Sequence, residues 1–182
     1  MRRAGLFVGT AALLGLAACG TSTAGIATPS PVAQAEQAPV AVAAAVQVPA
    51  GQELVGGYRA TGVQTYSCTG NAWKGLEPTA TLTDRNGKPI IIHSRGPVWI
   101  STEDGSAVEA APVDGAKNDV EGAVPELLLK TRTARGDGLF GKVTYVQRLE
   151  TEGGVAPSGG CKAGAQTSVP YKALYTFFKS AG

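Results

Sequence analysis

The sequence predicts an all-β fold, an antiparallel β-sandwich or partly closed barrel of about nine short strands behind a disordered N-terminal tether. Three observations predict it. From Val48 onward, short segments rich in Val, Ile, Thr, Tyr and Phe alternate with Gly, Asn and Asp. One run, residues 142–149, alternates cleanly: Val143, Tyr145, Gln147 and Leu149 point one way and Lys142, Thr144, Val146 and Arg148 the other. No window carries a long apolar stripe at helical spacing.

Taken in order, the expected strands are 53–60, 63–68, 80–84, 89–93, 98–102, 107–112, 127–133, 142–149 and 171–178. Asn86-Gly87 lies between two apolar runs and signals a tight hairpin whose two central residues need positive φ. Asp104-Gly105 and Asp137-Gly138 predict two more turns. Residues 122–128 allow one helical turn, but Pro125 and β-branched neighbours argue against more. A sandwich with barrel-like curvature is the favoured arrangement.

Ahead of this domain the chain reads differently. Residues 1–18 start with Arg2 and Arg3 and continue as an apolar run too short for a membrane span, which needs about 20 residues; a secretory signal fits better. Leu16-Ala17-Ala18-Cys19, followed by Gly20, resembles the bacterial lipoprotein box. That resemblance implies a diacylglycerol thioether on Cys19 and cleavage just before it. Two or more acyl chains give stable attachment to a bilayer. Residues 19–47 are rich in Ala, Pro, Val, Ser, Thr and Gln, with one charge, Glu36. Such a segment cannot bury enough apolar surface to order itself and reads as a flexible linker. A short helix over 41–46 would be marginal alone. Residues 48–182 form a single β-domain.

The chain carries 16 Lys and Arg against 14 Asp and Glu, and removal of Arg2 and Arg3 would leave the mature protein balanced. Nothing here makes a basic stripe, which excludes nucleic acid as a partner. Of 3 cysteines, lipidation of Cys19 leaves Cys68 and Cys161, which on the oxidising side of a membrane are expected to pair. The alternative is a metal site with His93 as third ligand, though zinc sites usually draw on a close C-x-x-C pair that this chain lacks.

Several motifs stand in a distinctive order: Gly62-Val63-Gln64-Thr65-Tyr66-Ser67-Cys68, His93-Ser94-Arg95-Gly96-Pro97-Val98-Trp99, Val146-Gln147-Arg148-Leu149-Glu150-Thr151-Glu152-Gly153-Gly154, and Val169-Pro170-Tyr171 with Tyr175 and Phe177. Together they resemble the mostly secreted, uncharacterised bacterial and fungal family called domain of unknown function 3455. The resemblance spans about residues 48–178 and places Cys68 and Cys161 where that family has paired cysteines. It carries no activity. Glu126 departs from an aromatic that relatives often hold, which would make a shared pocket more polar.

Candidate chemistry is sparse. His93 is the single histidine, with Ser94, Ser101, Ser106, Glu103 and Asp104 near it in sequence, yet no G-x-S-x-G elbow is present. A histidine holding a loop by hydrogen bonds is the simpler alternative. Trp99 is either a stacking platform or core. Gln147, Arg148 and Thr151, beside Gly153-Gly154, either line a polar pocket or end an edge strand. No pair among Glu53, Glu77 and Glu126 stands out for glycoside hydrolysis. The Arg135-Gly136-Asp137 tripeptide is what a glycine-rich hairpin tip produces by chance.

The reading is therefore a non-enzymatic envelope module, bound to a membrane by its lipid anchor, that takes a small molecule, a glycan or an envelope protein. Its candidate binding face is Tyr66, His93, Trp99, Gln147 and Arg148. No cofactor and no metal is expected. The alternatives are an envelope hydrolase with His93 as general base and a purely structural role.

Overall fold

A computed structural model describes residues 41–182. The expected signal peptide, Cys19 and most of the expected linker lie outside the described residues. Within them, eight strands follow one another: β1 (Gln52–Thr69), β2 (Ala72–Thr83), β3 (Pro89–Ser94), β4 (Val98–Ser101), β5 (Ala107–Asn118), β6 (Glu126–Arg135), β7 (Val143–Gly153) and β8 (Gln166–Ser180). Each pairs antiparallel with its neighbours in sequence, and β8 returns to pair with β1, so one sheet closes on itself as a barrel. The all-β antiparallel expectation holds, and of its two forms the barrel is the one adopted.

The strand count differs from the expected nine because 53–60 and 63–68 are one strand running straight through Gly62. Gly62 looks like a break in sequence, but it is a site of close approach. A Cβ there would lie 2.1 Å from the Thr79 carbonyl oxygen and 2.5 Å from the Ala80 Cα, its cross-strand partner. β2 also starts earlier than expected. Gly70 and Asn71, both at φ 60°, form a two-residue turn that the sequence reading passed over. The Asn86-Gly87 turn forms differently from its expectation. Only Gly87 takes positive φ there, and Asp84 Oδ1 accepts hydrogen bonds from the Asn86 and Lys88 amides at 2.9 Å each.

Alternate residues of each strand fill the barrel. The interior cluster includes Tyr58, Leu82, Ile91, Trp99, Phe140, Val146, Tyr175 and Phe177. The end of the barrel where the β2–β3, β4–β5 and β6–β7 turns meet is closed by Asp104. Its carboxylate accepts hydrogen bonds from the Ser106 amide (2.8 Å), the Ser106 hydroxyl (2.6 Å) and the Leu139 amide (2.8 Å). The Ser106 oxygen in turn accepts the Phe140 amide at 3.0 Å, holding the fully buried Phe140 ring across this end. Burial of Asp104 works against its ionised form, but these donors outweigh it and hold the carboxyl down at about 2.

A second apolar cluster lies on the outside, over β5 to β8. Val46, in one 3₁₀ turn (Ala44–Val46), packs with Leu128, Leu149 and Leu174, and Val42, Ala43 and Val48 pack around them. Gln147 locks this strap. Its Nε2 donates to the Val46 carbonyl at 2.6 Å, and its Oε1 accepts the Thr176 hydroxyl at 2.8 Å. Residues 42–47, assigned from sequence to the linker, are thus ordered by tertiary packing that no local propensity signals.

Candidate functional site

The opposite end of the barrel gathers the β1–β2, β3–β4, β5–β6 and β7–β8 connections. Cys68 at the end of β1 and Cys161 in the β7–β8 connection form a disulfide here, with Cα atoms 5.8 Å apart. The two sulfurs are bonded to each other, which removes the thiolates that a metal site with His93 would need. Below this end lies a cavity of about 170 Å³ lined by Gln64, Pro78, Pro97, Trp99, Pro112, Leu127, Leu129, Arg148 and Tyr175.

Strand pairing sets the geometry of its floor. His93 on β3 lies directly across from Trp99 on β4, and Arg148 on β7 directly across from Tyr175 on β8. The imidazole and indole stack with centroids 4.4 Å apart and planes 4° from parallel. Tyr175 meets both rings edge-on, at 5.0 Å from His93 and 5.3 Å from Trp99. His93 Nδ1 lies 2.9 Å from the Val98 carbonyl oxygen, which can only accept, so Nδ1 carries the proton. Nε2 is then the acceptor and takes the Tyr175 hydroxyl at 3.3 Å; the Tyr171 hydroxyl follows at 3.4 Å.

Burial dominates the electrostatics. It pulls His93 down to about 4, partly offset by the Val98 carbonyl. Burial also pushes Tyr66, Tyr171 and Tyr175 upward, against the opposing pull of the Arg148 guanidinium. Arg148 is the charge common to all four groups. Among the described residues none of the ion pairs includes it. Its Nε donates to the Pro125 carbonyl at 3.0 Å. Trp99 is fully buried, and its indole N–H has no hydrogen-bond partner.

Of the five residues expected on one face, the fold brings together His93, Trp99 and Arg148. Tyr66 is a little removed, its hydroxyl donating to the Gly154 carbonyl. Gln147 is on the other side of β7, under the strap, because adjacent strand residues face opposite ways. Thr151 is buried but does not line the cavity. Glu126 does not line it either. Its carboxylate accepts from Asn118 Nδ2 at 2.7 Å and from the Glu150 amide at 2.8 Å, bracing Glu150 at φ 47° where β7 bulges. Tyr175 was missed as a site residue, although its spacing from Tyr171 and Phe177 along one strand puts all three on the same face. As for nucleophilic catalysis, both His93 ring nitrogens are engaged, neither by a serine. Ser101 and Ser106 belong to the Asp104 end.

The described residues thus form a closed eight-stranded antiparallel β-barrel with a partly polar cavity inside one disulfide-bridged end. Residues 49–179 match the family described as Protein of unknown function (DUF3455), and the chain belongs to that family. No curated protein and no solved structure matches it.

Proposed function

We propose that this protein is an exported envelope lipoprotein whose barrel binds a small molecule in the cavity beneath its disulfide-bridged end. An eight-stranded barrel has an interior that is either filled by side chains or holds one small ligand. Here most of the interior is filled, and the space that remains is beside polar groups. The observation that carries the reading is Trp99, whose buried indole N–H has no partner and which lines the cavity together with Arg148 and Tyr175. A buried donor left unpaired costs about 1–3 kcal/mol, which an acceptor on a ligand would recover. The lipoprotein box at Cys19 supports anchoring, and the Cys68–Cys161 bridge supports an oxidising compartment.

Two measurements test this. A fragment set titrated into isotope-labelled protein should yield members that move the Trp99 indole N–H resonance, assigned by its persistence in Trp73→Phe. Fragments that bind only elsewhere, or none that bind, would remove the cavity as a ligand site. For the anchor, radiolabelled fatty acid should be incorporated by the native chain and not by Cys19→Ser. Equal labelling of the two would overturn the lipidation.

A further inference from the structure

We infer that the ligand of this cavity is a small monocarboxylate with a single ring or a short apolar chain, its carboxylate held by Arg148 and the Trp99 indole N–H. This rests on the binding reading above and names the chemical class that the same cavity would take.

Arg148 is half-buried on the cavity wall, and among the described residues no carboxylate pairs with it. A guanidinium withdrawn from water needs an anion or several acceptors to offset its desolvation. Among the described residues the protein supplies two neutral acceptors, the Pro125 carbonyl to Nε and the Tyr175 hydroxyl beside the guanidinium, and no anion. A guanidinium has five N–H donors in a fork that matches a carboxylate, so donors remain for one. Trp99 on the same wall adds a buried donor with nothing to donate to. Both unmet requirements are for an acceptor, and one requires negative charge. A cation would meet like charge here. A neutral ligand would leave the guanidinium uncompensated.

Size and wall chemistry narrow the class. At about 170 Å³ the cavity is close to the roughly 150 Å³ that accommodates a benzene-sized molecule in an apolar protein interior. Pro78, Pro97, Pro112, Leu127 and Leu129 supply a wall with no side-chain donor or acceptor. Gln64 and Tyr175 add polar groups but no second positive charge, so a second carboxylate on the ligand would lack a charged partner, which favours a monocarboxylate over a dicarboxylate. One carboxylate on one small apolar body satisfies the polar and apolar surfaces together.

The test uses full-length, disulfide-bonded protein at pH 7 and two probes of the same shape, benzoate and benzamide. Saturable movement of the Trp99 indole resonance by benzoate, about ten-fold tighter than by benzamide, is the expected result. Arg148→Met should abolish the difference, and Arg148→Lys should retain part of it. Equal affinity for the two probes in the native protein would overturn the carboxylate assignment while leaving the cavity a binding site, and this comparison needs no variant. Movement of the Trp99 resonance by neutral fragments but not by benzoate would do the same. No fragment and neither probe moving it would overturn both readings.

Discussion

The His93 imidazole lies flat against the Trp99 indole, 4.4 Å between centroids, with its Nδ1–H on the Val98 carbonyl and its Nε2 taking the Tyr175 hydroxyl. The stack joins two neighbouring strands and presents the indole to the cavity while keeping the imidazole out of water. The histidine therefore acts here as a neutral, positioned ring. With a pKa held at about 4, it is a poor general base at neutral pH.

That burial makes stability depend on pH. Unfolded, His93 titrates at its ordinary value of 6.5; folded, at about 4. Between these values the unfolded chain takes up a proton that the barrel refuses, so stability falls as pH drops through 6.5 and levels off below about 4. The loss is roughly 3 kcal/mol in total. Denaturant unfolding at a series of pH values should show this slope in the native chain. His93→Phe, less stable at pH 7 because it removes the hydrogen-bond partner His93 gives the Val98 carbonyl and the acceptor it gives the Tyr175 hydroxyl, should show a flatter profile in the same window. Parallel profiles would refute the assignment.

The Cys68–Cys161 bridge closes a loop with a sequence separation of 93. In the chain-entropy model a loop of that length restricts the unfolded state enough to contribute roughly 4–5 kcal/mol. Unfolding measured with and without reductant, and in the Cys68→Ser, Cys161→Ser double variant, should show a loss of that order. A loss under 1 kcal/mol would mean that the reduced chain stays compact.

Gln147 separates a structural role from a binding one. Replacing it by Leu leaves the Val46 carbonyl and the Thr176 hydroxyl buried without partners, a cost of about 1–3 kcal/mol. Because Gln147 is on the outer face of β7, ligand shifts at Trp99 should persist in Gln147→Leu. Their disappearance at intact stability would return Gln147 to the binding face.

Gly62→Ala should destabilise by about 1–3 kcal/mol, because its Cβ would overlap the Thr79 carbonyl and the Ala80 backbone and push β1 from β2. Thermal unfolding checks this. An unchanged midpoint would show that the two strands separate at little cost.

Turn chemistry and strand periodicity were legible in the sequence because both are local. The turns at Asp104-Gly105 and Asp137-Gly138 and the alternation from Tyr145 to Leu149 needed no knowledge of partners, whereas Val143 lies inside with Val146, against its expected face, because β7 bulges between Val143 and Tyr145. The same alternation already placed Gln147 and Arg148 on opposite faces, and grouping them in one pocket ignored it. The Gly70-Asn71 turn was equally readable. Gly62 was not, since a glycine that ends a strand and one that admits a neighbouring backbone look alike in one dimension.

By itself, then, the sequence determined an antiparallel all-β domain, its main turns and the two cysteines available to pair, since each follows from the stereochemistry of nearby residues or from compartment chemistry. Only the tertiary structure decided that the sheet closes, that residues 42–48 lie against its outer face, and that Arg148 and Trp99 line one cavity. Those outcomes depend on which distant strands become neighbours. Closure pairs β1 with β8 and so sets Tyr175 across from Arg148, a relationship between residues that no local pattern encodes.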